Sequence, residues 1–433
     1  MPTLTVPLSR IEGHARVVIE FQGARVLSAH FQATELRGFE MLVQGVPAEQ
    51  VSVIVPRICG VCSTAHHVAA VKALEDACGI TPPPKAIRIR ELMMLGQLIQ
   101  NQATSLFLFT MPDFPGREGV PSLFHLDEQE ADIAPRALAI RRLGTRLITL
   151  AGGQFIHPVR AVVGGVTTGL DPQAMEEMRR ELQGCLGVAT ELVERYWALF
   201  AGLRERIGTL GDDQPTYYLA SVHKGHAYYG DVVRVLAPDG QEEHAFAPSA
   251  YGEDLTLVPI EASYSDGWLY RGQVLRANSL ARLNLLPEMG APRADALLRR
   301  FRQEWGYPAH AILLFDLARA IELIYCIERA IALLEQDLWQ GPFRVSCQAA
   351  EGEGYGLVEA PRGPLIHHYV IDRGVVQKAR FLVPTQYNIF AIERALEVAA
   401  RRYISATGIS MELERAVGRV VRAFDPCIAC ATH

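Results

Sequence analysis

The sequence is poor in cysteine, and its cysteines are unevenly placed. Eight occur in 433 residues, a density too low for a scaffold held together by disulfides. Four of them stand alone in apolar or mixed surroundings, and we expect each to be a small buried hydrophobic residue; these are Cys78, Cys185, Cys326 and Cys347. The other four form two Cys-x-x-Cys pairs, at residues 59–62 and 427–430.

The chain also lacks a strong net charge and an obvious targeting segment. A net charge of −6 argues against a strongly basic nucleic-acid binder. The start has no basic stretch followed by an apolar core, so we predict no secretory signal. The longest charge-free run lies between Glu91 and Asp113, but amide and hydroxyl side chains interrupt it, which favours a buried helix over a membrane span. We therefore expect a soluble, cytoplasmic protein with no nucleic-acid partner and no direct membrane anchor.

Composition and periodicity predict a mainly α (α+β) fold, a large helical-bundle body with small peripheral antiparallel sheets. With 49% hydrophobic and 21% charged residues, the chain can bury a large core. Apolar spacing predicts helices over 64–78, 86–110, 133–151, 172–207, 292–338, 387–404 and 410–423. Alternating patterns predict a hairpin over 14–33, a β-rich insertion at about 215–275 and a small sheet at about 355–383. We expect a single domain, 1–433.

Two Cys-x-x-Cys pairs can bring four thiolates to one metal. Taken alone, they fit a structural zinc site or two unrelated thiol pairs. Their distance along the chain is unlike a compact zinc knuckle, the second pair lies close to a terminal histidine, and polar neighbours that can tune a redox metal surround the first, namely Arg57, His66 and His67. Four thiolates on one divalent ion leave excess negative charge, which a second cation and arginines such as Arg57 and Arg362 would relieve.

The segments around the two pairs resemble one family closely. RICGVCSTAHH (57–67) and DPCIACATH (425–433) are similar to the two metal-binding signatures of the nickel–iron hydrogenase large subunit. Five further segments agree in chain order, so the resemblance runs from residue 10 to residue 433; they are RIEGHARV (10–17), ELRGFE (35–40), FIHPVRAVVGGV (155–166), EAPRG (359–363) and PTQYN (384–388). The compact size and the last two segments resemble the soluble cytoplasmic branch, which couples hydrogen to NAD(P) or a similar carrier.

The resemblance implies a metal centre and its ligands. Cys59 and Cys427 would be terminal nickel ligands, and Cys62 and Cys430 would bridge nickel to an iron that carries carbon monoxide and two cyanides. Thiolates are soft ligands that suit a redox-active late transition metal. The implied reaction is heterolytic cleavage of H₂, and the base that takes the proton must lie within hydrogen-bond reach. The Cys427 thiolate is our first candidate for that base, because the guanidinium of Arg362 is nearly always protonated.

The resemblance also implies roles for residues around this centre. Arg362 would be a donor and charge partner for the cyanides, and Glu12 matches the gate through which protons leave. Taken alone, these two would be interpreted as a surface salt-bridge residue and a solvated turn residue. His66 would donate to the Cys62 sulfur, and Asp425 would pair with a nearby arginine. A dry pocket around the diatomic ligands would be lined by Pro361, Pro384 and Thr385, the last donating to a cyanide.

A second metal site is implied near the C-terminus. Glu40 and His433 match a magnesium site whose third protein ligand is a backbone carbonyl, here that of Phe381. A carboxylate, a carbonyl and waters suit magnesium, whereas imidazole is less usual for it, so the identity of the ion stays open. Precursors in the family carry a tail that a maturation protease removes after this histidine. The chain stops there, either as the mature form or because its gene lacks the tail, and nickel chaperones would be further transient partners.

One departure from the family pattern lies in the helix before PDF (112–114). Relatives often have histidines there, whereas this chain has Asn101, Gln102 and Ser105. Asn101 stands where relatives carry Asp or Ser near the metals, and a neutral amide does not exchange protons readily. Proton flow, oxygen response or catalytic bias can therefore differ from those of relatives.

Electrons would have to leave through a partner, because the remaining cysteines show no pattern for an iron–sulfur cluster. We expect a large, fairly apolar interface with a hydrogenase small subunit that carries iron–sulfur clusters, and further flavin and iron–sulfur subunits of the diaphorase type. The predicted function is the catalytic subunit of a soluble nickel–iron hydrogenase. The alternatives are an H₂ sensor with little turnover, a scaffold like the related quinone-oxidoreductase subunit, and a zinc-stabilised structural protein. The four paired cysteines argue against the scaffold.

Overall fold

The computed structural model describes residues 2–114, 124, 130–202, 211, 214–222, 228–347, 351–405, 408–409 and 412–433. Within these residues the fold is mainly helical with small sheets, as predicted. The helices are α1 (Phe39–Leu42), α2 (Ala48–Ile54), α3 (Ser63–Ala77), α4 (Pro84–Ala103), α5 (Ile133–Gly152), α6 (Pro172–Ala201), α7 (Tyr251–Asp254), α8 (Ser279–Leu285), α9 (Pro292–Trp305), α10 (Leu314–Leu334), α11 (Pro384–Tyr403), α12 (Leu413–Phe424) and α13 (Ile428–Ala431).

The strands are short and belong to small separate sheets. They are β1 (Thr3–Pro7), β2 (Ala15–Gln22), β3 (Arg25–Ala33), β4 (Ala161–Val162), β5 (Gly165–Val166), β6 (Tyr217–Ala220), β7 (Val233–Leu236), β8 (Glu242–Phe246), β9 (Leu255–Val258), β10 (Gly267–Tyr270), β11 (Leu275–Arg276), β12 (Gly352–Ala360), β13 (Gly363–Asp372), β14 (Val375–Leu382), β15 (Ile404–Ser405) and β16 (Gly408–Ile409).

Two three-stranded antiparallel sheets and a four-stranded sheet account for most of the β-structure. The first has the order β1-β2-β3 and contains the predicted hairpin. The second, β12-β13-β14, is the small sheet predicted at about 355–383. Strands β6 to β8 and β11 form the four-stranded sheet of the predicted β-rich insertion. Its β11–β6 pair is parallel, so the prediction of purely antiparallel sheets was wrong for that pair.

Local sequence explains where several helices begin and end. The side chain of Asp171 accepts a hydrogen bond from the backbone N–H of Ala174 at 2.8 Å, which caps α6 at the predicted start. The predicted helix over 292–338 is two helices, α9 and α10. Pro308 lies in the break, where a residue without an N–H donor cannot continue a helix. Past Ala103, the predicted helix over 86–110 continues as a π-helical segment, Thr104–Thr110.

Helices α4 and α10 form the centre of the molecule. Every residue of α4 from Ile89 to Ala103 is buried, and so is nearly all of α10. A helix that is buried on all sides lies in the interior of a protein or of a membrane. Among the described residues, no helix combines the length and hydropathy that a transmembrane span requires. The buried helix predicted between Glu91 and Asp113 is therefore confirmed, with its amide side chains inside the core.

The lone cysteines differ from one another. Cys78 follows the end of α3 and forms a disulfide with Cys347. The prediction that both are small buried hydrophobic residues was therefore wrong, because their pairing depends on a contact between distant parts of the chain. Cys185 and Cys326 are free and buried, as predicted.

Helix α3 packs unusually closely on β12. A Cβ atom at Gly354 or Gly356 would collide with the carbonyl oxygens of Ala73 or Ala69 in α3. These two glycines therefore let the helix backbone lie directly on the strand. The contact matters because α3 begins one residue after Cys62 and β12 ends two residues before Arg362.

We predict that Gly356→Ala lowers stability by about 1–3 kcal/mol, because a methyl group there overpacks a backbone contact. The midpoint of thermal unfolding of the purified protein measures it. Gly184→Ala is the matched control: nothing lies within 4 Å of its added methyl group, and alanine favours a helix more than glycine does. If both variants unfold at the wild-type temperature, α3 and β12 are not in close contact.

Candidate metal centre

Four cysteine sulfurs from opposite ends of the chain meet at one buried point. The Sγ atoms of Cys59, Cys62, Cys427 and Cys430 all lie within 4.8 Å of one another. Cys427 is at the centre of the group, with its sulfur 3.3 Å from that of Cys59, 3.8 Å from that of Cys62 and 2.8 Å from that of Cys430. The two pairs predicted to share one site are thus brought together, and two unrelated thiol pairs are excluded.

Each pair lies at the N-terminal end of a helix. A short 3₁₀-helix, Val55–Ile58, ends immediately before Cys59. Cys62 is the N-cap residue of α3, and Cys427 is the N-cap residue of α13. The two-residue spacer is thus a turn that lets both sulfurs of a pair face the same point.

Burial makes this group of sulfurs dependent on positive charge. It raises the pKa of the Cys427 and Cys430 thiols well above the ordinary value. Four thiolates can therefore occupy this space only if cations lie among them. Soft sulfur donors in this number suit zinc or a late transition metal.

One positive charge comes from Arg362. Its Nη1 donates to the Cys62 sulfur at 3.1 Å, and its Nε and Nη2 donate to the backbone carbonyl and a carboxylate oxygen of Asp425 at 2.7 and 3.1 Å. Burial disfavours the charge, but the Asp425 carboxylate and the Cys62 sulfur raise the pKa of Arg362. The predicted pairing of Asp425 with an arginine is present. Arg57 is exposed and donates to the Val53 carbonyl, so the expectation that it neutralises the sulfurs was wrong.

A buried polar chain continues from Asp425 into the core. The Asp425 carboxylate accepts a hydrogen bond from the Asn101 amide at 3.0 Å. The same amide nitrogen donates to the side-chain oxygen of Gln102 at 3.2 Å. Gln102 donates to Glu322 at 2.6 Å, and Arg282 pairs with Glu322 and, at 2.8 Å, with Glu359. The two amides singled out in the sequence thus link the centre to a fully buried ion-pair cluster. That cluster was missed, because charged side chains are normally exposed.

Glu12 lies directly against the sulfurs. Its Oε2 is 3.0 Å from the Cys427 sulfur and accepts from the Ala429 N–H at 3.1 Å, while its backbone carbonyl accepts from Ile428 at 3.1 Å. Gly13 makes this approach possible, since a Cβ there would lie 2.7 Å from that of Ile428. The carboxyl group is therefore placed to exchange a proton with the Cys427 sulfur.

The two histidines after the first pair have different surroundings. The Nε2 atom of His66 lies 3.4 Å from the sulfur of Cys430, so the prediction that His66 donates to Cys62 was wrong about the partner. One helical turn after Cys62, the ring extends across the site to the other pair. Burial lowers the pKa of His66 to about 4, so the ring is neutral. His67 is also buried and bonds to the Ser52 carbonyl at 2.8 Å, away from the sulfurs.

A small cavity adjoins the sulfurs. It is lined by Cys62, His66, Ala360, Arg362, Leu365, Val383, Pro384, Thr385, Cys427 and Cys430. Pro384 and Thr385 open helix α11, and the Thr385 hydroxyl accepts from the Cys427 N–H at 3.0 Å, which leaves its own proton free to donate. Pro361 is buried, but its carbonyl accepts from Arg282 at 2.9 Å, and its neighbours line the cavity instead.

Glu40, Phe381 and His433 also come together. The Glu40 carboxylate lies 3.2 Å from His433 Nε2 and accepts from the Phe381 N–H at 2.7 Å. Burial raises the pKa of Glu40, but the His433 and Phe381 contacts outweigh it and hold that pKa below its usual value. His433 Nδ1 bonds to the Cys430 carbonyl at 2.7 Å. Phe381 contacts Glu40 through its backbone N–H. The Phe381 carbonyl as a metal ligand stays a prediction.

Comparisons with known proteins agree on one family. A family model described as nickel-dependent hydrogenase matches residues 37–114 and 222–433, and one described as HoxL-like matches residues 3–36. The F420-non-reducing hydrogenase vhu of Methanocaldococcus jannaschii has a chain that is 37% identical, over 91% of this chain and 97% of its own. The NAD-reducing hydrogenase HoxS subunit beta of Cupriavidus necator is 29% identical, over 99% and 93%. A crystal structure of NAD⁺-reducing NiFe hydrogenase in the H₂-reduced state has a TM-score of 0.94 at 30% identity, with 100% of both chains covered.

We predict that Cys430→Ser abolishes assembly of the metal centre, because a hydroxyl is a hard, weakly acidic ligand in place of a soft thiolate. Metal analysis of the purified protein should show loss of nickel and iron. Cys185→Ser, at a lone buried cysteine, is the control and should retain both. A Cys430→Ser protein with full metal content and activity would contradict the ligand assignment.

Proposed function

The chain belongs to the nickel-dependent hydrogenase family and is the catalytic large subunit of a nickel–iron hydrogenase, and we propose that it passes electrons from H₂ to NAD(P) or a similar carrier through partner subunits. The observation that carries the assignment is the group of four buried sulfurs within 4.8 Å. The coupling to NAD(P) rests on two similar proteins described as NAD-reducing. A cytoplasmic location is part of the same proposal.

The residues around the sulfurs fit a nickel–iron centre with carbon monoxide and cyanide ligands. Four thiolates match two soft metals better than one, because a second cation offsets their charge. The adjoining cavity is lined by Arg362 and by the first residues of α11. A guanidinium group and a helix N-terminus both favour anions such as cyanide. Thr385 has a hydroxyl proton to donate there. When bound, such a centre would supply the cleavage of H₂, and Cys59, Cys62, Cys427 and Cys430 would hold it.

The proton released from H₂ needs a nearby acceptor, and Cys427 with Glu12 provides one. The ion pair with Asp425 keeps the Arg362 guanidinium protonated, so Arg362 is a poor base. The Cys427 sulfur and the Glu12 carboxylate are 3.0 Å apart, which is within reach for direct proton transfer. We infer that Cys427 takes the proton first and that Glu12 carries it away from the centre.

Glu40, His433 and the Phe381 carbonyl are proposed to hold a magnesium ion. The support is that the half-buried Glu40 carboxylate lies 3.2 Å from the His433 imidazole. An ion there would join β14 to the segment that carries Cys430. Its role would thus be to hold the second cysteine pair in place.

Electrons are proposed to leave beside the first cysteine pair. Gly60, between Cys59 and Cys62, is exposed. Three apolar side chains, those of Val53, Ile156 and Val159, are half exposed. A hydrogen bond between His157 and the Pro56 carbonyl at 3.2 Å joins the segment that carries Ile156 and Val159 to the short helix before Cys59. Hydrogenase large subunits pair with a small subunit, and we propose that an iron–sulfur small subunit docks beside the first cysteine pair. Further flavin and iron–sulfur subunits of the diaphorase type would complete the route.

The test of the proposed function is H₂-dependent dye reduction by the purified complex, together with its infrared spectrum. We expect bands of bound carbon monoxide and cyanide, and dye reduction that is followed by NAD(P) reduction when all subunits are present. The same bands with negligible turnover would favour the H₂ sensor. Zinc alone, without these bands, would contradict both.

We predict that Glu12→Gln retains nickel and iron but slows H₂-dependent dye reduction roughly 100-fold, the effect expected for loss of a positioned proton carrier. The amide can still accept from Ala429, so the local fold should persist. Glu35→Gln, at an exposed residue of the same terminal region, is the control. Unchanged turnover in Glu12→Gln would exclude Glu12 from the proton route.

A further inference from the structure

A buried row of hydrogen bonds leads away from the Cys430 sulfur. His66 Nε2 lies 3.4 Å from that sulfur, and His66 Nδ1 lies 2.9 Å from His367 Nε2. His367 Nδ1 in turn lies 2.7 Å from the hydroxyl of Tyr369. All three side chains are almost completely buried. The row therefore ends inside the protein and is unsuited to carrying protons to the surface.

The geometry of β13 explains how these groups align. Successive side chains on a strand alternate between its faces, so Leu365, His367 and Tyr369 point to the same side, and Leu365 lines the cavity beside the sulfurs. The Phe381 ring on the neighbouring strand β14 packs on His367 with centroids 4.4 Å apart. The imidazole of His367 is thus fixed by packing as well as by its two hydrogen bonds.

Chemistry sets the direction of every proton in the row. With a metal bound, the Cys430 thiolate would carry no proton and could only accept, so His66 Nε2 would bear a hydrogen. Neither ring has a carboxylate partner among the described contacts, so each neutral imidazole has one donor and one acceptor nitrogen. His66 Nδ1 then accepts from His367 Nε2–H, and His367 Nδ1 accepts from the Tyr369 hydroxyl. The reverse order would leave the Tyr369 proton buried without an acceptor within the part of the chain that is described.

We propose that His367 and Tyr369 are positioning residues that fix the tautomer of His66 and thereby hold a directed hydrogen bond on the sulfur of Cys430. Aligned hydrogen bonds polarise one another, so the tyrosine hydroxyl strengthens the donor at the far end of the row. A donor to a ligating sulfur withdraws electron density and tunes the metals it serves. The inference rests on the proposed function, because it requires Cys430 to be a metal-bound thiolate.

The experiment compares infrared spectra of the purified complex in one redox state. Tyr369→Phe removes only the hydroxyl and should move the carbon monoxide band to lower wavenumber, since a more electron-rich sulfur donates more density to iron. His367→Leu should move it further in the same direction. His367→Gln has an amide that can donate to His66, so its band should lie closer to the wild-type position than that of His367→Leu. If the His367→Leu protein does not assemble a metal centre, the band of Tyr369→Phe alone tests the inference.

Tyr387→Phe is the matched control, because this tyrosine is equally buried and its hydroxyl has no hydrogen-bond partner among the described residues. Its band should coincide with that of the wild type. A Tyr369→Phe band at the wild-type position, or an equal shift in Tyr387→Phe, would overturn this inference and leave the proposed function intact. Absence of the bands from the wild type would overturn the proposed function and this inference with it.

Discussion

The structure depends on holding four sulfurs within 4.8 Å of one another in the interior. Burial raises the pKa of Cys427 and Cys430, and thiolates so close would repel one another, so the ionised group is stable only around cations. Arg362 contributes one fixed charge, and the bound metals would supply the rest. Metal binding and folding of this region are for that reason expected to be coupled.

The contacts that fold the chain's end onto its beginning are also the contacts that build the site. The N–H groups of Ile428 and Ala429 bond to the backbone carbonyl and side chain of Glu12. The same two hydrogen bonds place the Glu12 carboxylate on the Cys427 sulfur. Glu12 and Cys427, the proposed proton carrier and metal ligand, are thus positioned by the same contacts, and Gly13 permits this by having no side chain.

Sequence patterns predicted the elements and the two cysteine pairs better than the connections between them. Helical periodicity and the Cys-x-x-Cys spacing are local, so the hairpin over 14–33, the buried helix α4 and the four sulfurs were foreseeable. The Cys78–Cys347 disulfide, the His66 contact with Cys430 and the exposure of Arg57 depend on how distant segments meet. His367 and Tyr369 had one usable signal, their two-residue spacing on a strand that follows Arg362. The buried cluster around Arg282 had none, because charged side chains are normally solvated.

The most direct test of the central claim is nickel-edge X-ray absorption of the purified complex. The account predicts four sulfur neighbours around nickel, with iron close enough to appear as a further scatterer, because Cys59, Cys62, Cys427 and Cys430 share one point. A nickel environment of nitrogen and oxygen without sulfur, or a protein whose sulfur site holds zinc and no nickel, would contradict it.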